Sequence, residues 1–492
     1  MAAALPILIP FAFIITFMGV SSKKLSGWMS VLAGITLLAV SIFLFMLVRS
    51  VGIQVLHAGG WKAPFGITIV VDYLSVLMLM VTAIIYIAIS LYSFKHIANE
   101  QVNNRFYLFL SALIMGVNGA FTTGDAFNLF VWFEVILISS FVLITLGNTK
   151  EQLEGGIKYM AMNLLGSLFF LAGLGLLYGK TGTLNMAHLA ELLQNDHRAY
   201  LLNIPATLFI VAFGIKAAVF PLFFWLPASY HTANITVTSL FAGILTKVGV
   251  YALIRFFTLF FVFDQQFWTT FLGVAAGITM LIGGMAAASQ YETRKILSYH
   301  IISQIGYMIM GIAIGTKLAI AGAIFFMLHN MVAKSNLFMV SGVINHLRGT
   351  YYLKDVGGLF RQSPLLSILF IVPAFSLAGF PPLAGFFAKF ILIKAGFDSQ
   401  FWVLTTVALF TSILTLYSMI KIWYEAFLKK QPDNNFADRQ EEVLTLSDVL
   451  PSAILGAVSV LMGLFAGKVF SGCMNAAGEL IDPARYIEAV FR

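Results

Sequence analysis

A single cysteine, Cys473, stands in 492 residues, which excludes an internal disulfide and any cluster ligated by cysteines of this chain alone. Charge is scarce too, with Asp, Glu, Lys and Arg making up only 10% of the chain. There is no Walker loop, no Gly-rich dinucleotide turn following a strand, no HExxH and no CxxC. ATP, nicotinamide and redox centres therefore have no recognisable binding motif here. Neither a cofactor nor a metal site is expected, and any work must be driven by ion gradients or by other subunits.

What the chain has in abundance is apolar surface. It is 60% hydrophobic, with a mean hydropathy of +0.92, and apolar runs of the length a bilayer requires recur from end to end. This is the composition of an all-α polytopic membrane protein. The net charge of +8 is no nucleic-acid footprint, because Lys and Arg fall mainly between the hydrophobic segments. The N-terminal MAAALPILIPFAFIITFMGV lacks a basic leader region and a cleavage site, and reads as the first span.

Hydropathy and helix breakers give about fourteen spans, over 4–20, 28–49, 69–94, 105–123, 126–147, 157–178, 205–226, 234–260, 266–289, 297–315, 318–344, 364–397, 401–427 and 447–470. No composition shift separates a soluble module, so residues 1–492 form a single membrane domain. The longest polar connections are 179–204, 345–363 and 428–446. Odd-numbered connections carry most of the basic residues, among them Lys23, Lys95, Arg294, Arg361, Lys429 and Arg439. Even-numbered ones carry only Arg49, Lys62, Lys180, Arg198 and Lys317. The positive-inside rule then makes the odd connections cytoplasmic and leaves both termini outside.

Two spans are interrupted by proline. Pro221 and Pro227 fall in the seventh, and Pro381 and Pro382 in the twelfth. Proline lacks the N–H that would bond the carbonyl a turn earlier, and carbonyls so freed survive in a membrane only inside protein or beside a water-filled cavity. A lysine accompanies each break, Lys216 five residues before Pro221 and Lys389 seven after Pro382. An offset of five spans is odd, so two such units would be inverted relative to each other.

The intramembrane charges are the candidate functional residues. A charge at bilayer mid-depth costs roughly 2.5–3.5 kcal/mol, so four buried lysines together cost roughly 10 kcal/mol and call for a use. Glu134 has only Phe130, Val131, Leu137 and Ile138 three or four residues away. Its partner must come from another helix, and Lys216 is the expected one. Separating such a pair favours release of the lysine's proton and closing it favours uptake, which makes a switch without a cofactor; a static structural pair is the plainer alternative. Lys247 shares a helical face with Ser239, Gly243 and Tyr251, small and hydroxylic neighbours that would leave room for ordered water. Lys334 and Asn330 share a face of the eleventh span next to His329, which is either a relay residue or a hydrogen-bonded packing residue. Lys389 completes the row. Lys421 and Glu425 read as an interfacial pair, and Asp72 and Asp125, at span ends, as hydrogen-bonded residues or helix starts. No carboxylate cluster inside the spans forms an oxygen cage for Na⁺, which favours protons as this chain's cargo.

Six stretches carry a resemblance: NLFVWFE (128–134), GIKAAVFPLFFWLP (214–227), SLFAGILTKVGVYALIR (239–255), QYETRKILSYHIISQIGYMIMG (290–311), HNMVAKSNLF (329–338) and FSLAGFPPLAGFFAKF (375–390). In these the chain resembles the antiporter-like family shared by respiratory complex I and the multisubunit Mrp (Sha, Mnh) cation/proton antiporters. The resemblance implies fourteen helices with two inverted five-helix repeats, spans four to eight (about 105–260) and nine to thirteen (about 266–427), with spans one to three and fourteen peripheral. It implies a functional glutamate at Glu134 with Lys216 as its partner, relay lysines at Lys247 and Lys389, and a His/Lys site at His329 and Lys334. Asn330 departs from the histidine many relatives carry there. Complex I relatives often read His-Thr-Glu-Ala-Pro after the seventh-span break, whereas HTANIT (231–236) stands here. That points to the Mrp branch, and the length suits its D subunit better than the longer A subunit.

The expected function is thus proton translocation within a heteromeric Na⁺ or Li⁺/proton antiporter of a prokaryotic cytoplasmic membrane, with other Mrp subunits and the lipid bilayer as partners. A pumping subunit of complex I or of a membrane-bound hydrogenase is the alternative, and an inert membrane scaffold for such a complex is a third.

Overall fold

The computed structural model describes residues 1–20, 22–103, 105–194, 202–262, 265–432 and 444–492. Arg198 and Arg439, counted above among the connection charges, lie outside the described residues.

In chain order the first helices are α1 (Leu5–Gly19), α2 (Lys23–Val51), α3 (Tyr73–His96), α4 (Asn99–Asn103), α5 (Phe106–Thr122), α6 (Ala126–Thr145), α7 (Lys150–Thr181) and α8 (Met186–Gln194). Then come α9 (Asn203–Ala217), α10 (Trp225–Tyr230), α11 (Ile235–Leu259), α12 (Gln265–Ser289), α13 (Thr293–Ile314) and α14 (Lys317–Arg348). The chain ends with α15 (Leu359–Gln362), α16 (Pro364–Ala378), α17 (Ala384–Asp398), α18 (Trp402–Trp423), α19 (Leu446–Leu464), α20 (Ala466–Ile481) and α21 (Ala484–Phe491). Among the described residues eleven helices are long and apolar enough to cross a membrane, and α5, α9 and α16 are shorter apolar helices. The protein is a multi-pass membrane protein.

The helix starts follow ordinary capping chemistry. Asp72 accepts the Ser75 N–H at 2.9 Å and Asp125 that of Asn128 at 2.8 Å, each meeting one of the donors a first turn leaves free. Two features depart from the expected pattern. In the second connection β1 (Gln54–His57) pairs antiparallel with β2 (Thr68–Val71), a short hairpin whose four-residue strands carry no long periodic signal. At the other end of the chain, the last span stops at Leu464 rather than near residue 470. The chain turns at Phe465 and continues as the separate helix α20, which is not one of the eleven spanning helices.

Burial places the centre of the molecule. The most apolar window of α11 is fully buried and those of α13 and α14 are 94% buried, against 39% for α2 and α7. The helices that carry Lys247, His300 and Lys334 are thus sheathed by others, so their polar side chains meet protein rather than lipid.

Both proline breaks are present, with different local solutions. Helix α9 ends at Ala217, and Ala218 adopts a left-handed conformation (φ 61°). The Ile215 carbonyl there accepts the Trp225 indole N–H at 2.9 Å, and the Phe220 N–H finds Thr279 Oγ1 at 3.1 Å. Pro227, expected as a second breaker, instead sits in the first turn of α10, where the missing N–H costs nothing. The second break runs from Gly379 (φ 94°) to Leu383. Its freed carbonyl, that of Ala378, accepts Lys389 Nζ at 3.1 Å.

Candidate functional site

Five helices that touch in succession carry the expected lysines and their first neighbours. Helix α7 packs on α9, α9 on α11, α11 on α14 and α14 on α17. Lys216, in the last turn of α9, is 7% exposed. Its Nζ donates to Ser167 Oγ on α7 at 3.2 Å and lies 5.4 Å from the centre of the Phe133 ring. Glu134, the next residue of α6, makes no ion pair with Lys216 among the described residues. The expected contact pair is therefore absent: Ser167 and the aromatic face of Phe133 take the ammonium instead. Glu134 itself is half-buried, on the face of α6 that exposes Val131 and Ile138, and its Oε1 is buried without a hydrogen-bond partner.

Lys247, completely buried, donates to the Ala242 carbonyl of its own helix. The gap expected beside it is filled. A Cβ on Gly243 would lie 3.1 Å from the Met331 carbonyl and against Ser335 Oγ, so α14 closes over the small residue. Gly249 serves the same purpose toward α9, where a Cβ would stand 2.7 Å from the Ala217 nitrogen. The backbone of the first break thereby lies directly on the helix of Lys247.

Lys334 is the middle of the row. It is fully buried, donates to the Leu297 carbonyl of α13 at 3.2 Å, and feels the charges of both Lys247 and Lys389. Lys389, 4% exposed, bridges Ala378 O and Ser412 Oγ (2.9 Å) beneath the Tyr307 ring. His329 Nδ1 meets Ser376 Oγ at 3.3 Å while its Nε2 is buried without a partner. Ser376 Oγ also accepts the Gly385 N–H at 3.3 Å and the Ser459 hydroxyl at 3.2 Å. Among the described residues no ion pair joins Lys216, Lys247, Lys334 or Lys389 to a carboxylate. Both polar atoms of the Asn330 amide lack partners.

Several polar groups at this centre escaped the reading of the sequence. His300 on α13 is fully buried with both ring nitrogens unpartnered, and the charges of Lys334 and Lys389 reach it. It lies inside the stretch 290–311 quoted above, which was the available signal. Asp72 is more than a cap, because it holds Arg255 of α11 in a buried ion pair. Asp448 receives Lys95 at 2.7 Å and His96 at 2.9 Å. The expected Lys421–Glu425 pair is replaced. The helix widens to a π turn over Tyr424–Leu428, Glu425 pairs with Lys429 at 2.6 Å, and Lys421 donates to the carbonyls of Ala288 and Gln290 at the end of α12.

The chain is also similar to known proteins. Residues 123–415 match the family described as NADH:quinone oxidoreductase/Mrp antiporter, transmembrane. The chain is 43% identical over 491 residues to the D subunit of the Na⁺/H⁺ antiporter of Alkalihalophilus pseudofirmus, covering 99% of each. It is 38% identical to the corresponding D subunit of Bacillus subtilis, again over 99% of each. Its fold superposes on a chain of the Mrp complex from Dietzia with a TM-score of 0.92 at 29% identity, covering 100% of this chain and 99% of that one. The chain belongs to the NADH:quinone oxidoreductase/Mrp antiporter family, and its similarity runs to the D subunits of that family's Na⁺/H⁺ antiporters.

Proposed function

We propose that this chain is the proton-translocating subunit of a heteromeric Na⁺ or Li⁺/proton antiporter. In this reading it is one membrane domain of fourteen spans with both termini outside. Spans four to eight and nine to thirteen are inverted repeats, and the broken spans are α9–α10 and α16–α17. Protons move along Glu134, Lys216, Lys247, Lys334 and Lys389, with His329 beside the line, and their influx is coupled to sodium efflux by the assembled complex.

The observation that carries this is the central row itself. Lys247, Lys334 and Lys389 lie on three successively packed helices, and among the described residues none of them is ion-paired to a carboxylate. Amines held by neutral carbonyl and hydroxyl groups rather than by carboxylates are not locked into ion pairs, which leaves them open to proton exchange. Unpartnered buried atoms flank the row, including Ser335 Oγ, Asn330, His300, Ser303 Oγ and Gln304 Oε1. Buried polar groups of this kind are ordinarily bridged by internal water, which would link the amines into one conducting line.

Glu134→Ala and Lys216→Ala, in complexes that still assemble, should each abolish sodium-dependent proton flux in inverted membrane vesicles. Normal flux in both variants would reject the assignment.

A further inference from the structure

The two proline breaks serve their lysines differently. At the second, the freed Ala378 carbonyl takes Lys389. At the first, the carbonyls are already engaged. Gly214 O accepts the Val219 N–H at 2.9 Å, and Ile215 O accepts both the Ala218 N–H at 3.1 Å and the Trp225 indole N–H at 2.9 Å. Lys216 finds no carbonyl at its own break. It is the one amine of the four whose hydrogen-bond acceptor, among the described residues, is a side chain alone.

That side chain is Ser167, buried on α7 where it packs against α9. Its hydroxyl has one hydrogen, donated to the Asn163 carbonyl one turn back at 3.2 Å. The oxygen is therefore only an acceptor toward Lys216, whose Nζ it receives at 3.2 Å. The neighbouring residue sets how closely the helices approach, since a Cβ on Gly166 would already stand 3.3 Å from Ile215 Cγ2. The same ammonium lies 5.4 Å from the centre of the Phe133 ring, and Glu134 follows Phe133 on α6 with its Oε1 buried and unpartnered.

A hydroxyl oxygen so oriented does what a carboxylate cannot. An amine has N–H groups to donate whether or not it is charged, so a neutral acceptor holds it in both protonation states. A carboxylate holds the charged form far better than the neutral one. We propose that Ser167 is the positioning residue of Lys216, holding the amine at the end of α9 and off the Glu134 carboxylate in a geometry that does not depend on its charge. This rests on the proton role proposed above for Glu134 and Lys216. Ser167 itself gains and loses no proton. Without its oxygen the amine turns to Glu134, and the two close into a lasting ion pair that passes protons slowly.

The test measures sodium-driven proton flux of the whole antiporter complex in liposomes for Ser167→Ala, Ser167→Thr and Ser167→Val. Threonine keeps the hydroxyl and valine has its branched shape without it, so the cost of added bulk is common to both. The Ala and Val variants should lose about tenfold in maximal turnover, the rate equivalent of one hydrogen bond to a charged group, with the sodium concentration at half-maximal flux unchanged. The Thr variant should keep most of the wild-type turnover. Wild-type turnover in Ser167→Ala, equal losses in the Thr and Val variants, or a loss confined to the half-maximal sodium concentration overturns the proposal.

Infrared spectra of the solubilised complex give a reading that needs no transport. The carboxyl band that Glu134→Gln removes should shift in Ser167→Ala and Ser167→Val and stay in place in Ser167→Thr, because only the first two bring the ammonium onto Glu134. A band at the wild-type position in Ser167→Ala overturns the proposal. Normal flux in Lys216→Ala would sink the proton role of Lys216, and the spectra would still decide whether Ser167 keeps the amine from Glu134.

Discussion

Lys334→Met separates a lysine kept for transport from one kept for architecture. Lys334 is fully buried, makes one hydrogen bond, to Leu297 O, and has like charges on either side. Placing a lysine at such depth costs roughly 2.5–3.5 kcal/mol. A hydrogen bond from a charged donor returns roughly 1.5–3 kcal/mol. Methionine fills nearly the same volume and removes both effects, so the difference runs from a loss of about 0.5 to a gain of about 2 kcal/mol. Relief from Lys247 and Lys389 adds to the gain. A lysine held in a structural ion pair behaves otherwise, because deleting it strands a buried partner at a cost of about 3–5 kcal/mol. The assay is the rate at which a thiol reagent reaches buried Cys473 as the complex is warmed, read at the peptide level. The variant should label no faster than wild type while its antiport in inverted vesicles is lost. Faster labelling equivalent to about 3 kcal/mol or more, or retained antiport, refutes the reasoning.

Asp72→Asn removes the carboxylate that is ion-paired with buried Arg255 and should destabilise the complex by about 3–5 kcal/mol. Adding Arg255→Met should recover much of that, and the same Cys473 labelling measures both. Gly249→Ala drives a methyl group to 2.7 Å from the Ala217 nitrogen, backbone that a rotamer change cannot move. It should cost about 1–3 kcal/mol and depress transport by displacing α9 and Lys216 from α11. Wild-type flux from a Gly249→Ala complex would show that the two helices need not touch.

The helices that carry the row were legible because apolar runs and prolines are local signals: α11 and α14 lie where hydropathy placed them, and the break of α9 follows Pro221. Lys247, Lys334 and Lys389 stood out because charge in such segments is costly. What escaped depends on contacts between distant parts of the chain. Asp72 and Arg255 are 183 residues apart, and no spacing rule joins them. The Glu134–Lys216 contact was inferred from the absence of a partner on α6, which cannot foresee that Ser167 would reach the ammonium first. Lys421 and Glu425 failed as a pair because the π turn changes the helical register that the rule of four assumes. Pro227 failed as a breaker because a proline interrupts a helix interior and suits a first turn, and only the position of α10 distinguishes the two.

The hydroxyl of Ser376 has one hydrogen to give, and its oxygen is already engaged by Gly385 and Ser459. That hydrogen must therefore go to Nδ1 of His329, which makes the neutral imidazole the Nε2–H tautomer. A doubly protonated ring would aim a hydrogen at Ser376 from Nδ1 as well, and the serine would have to turn its own away. Since Gly385 opens α17 and Ser459 belongs to α19, the tautomer of one ring is tied to how three neighbouring helices hold a single oxygen.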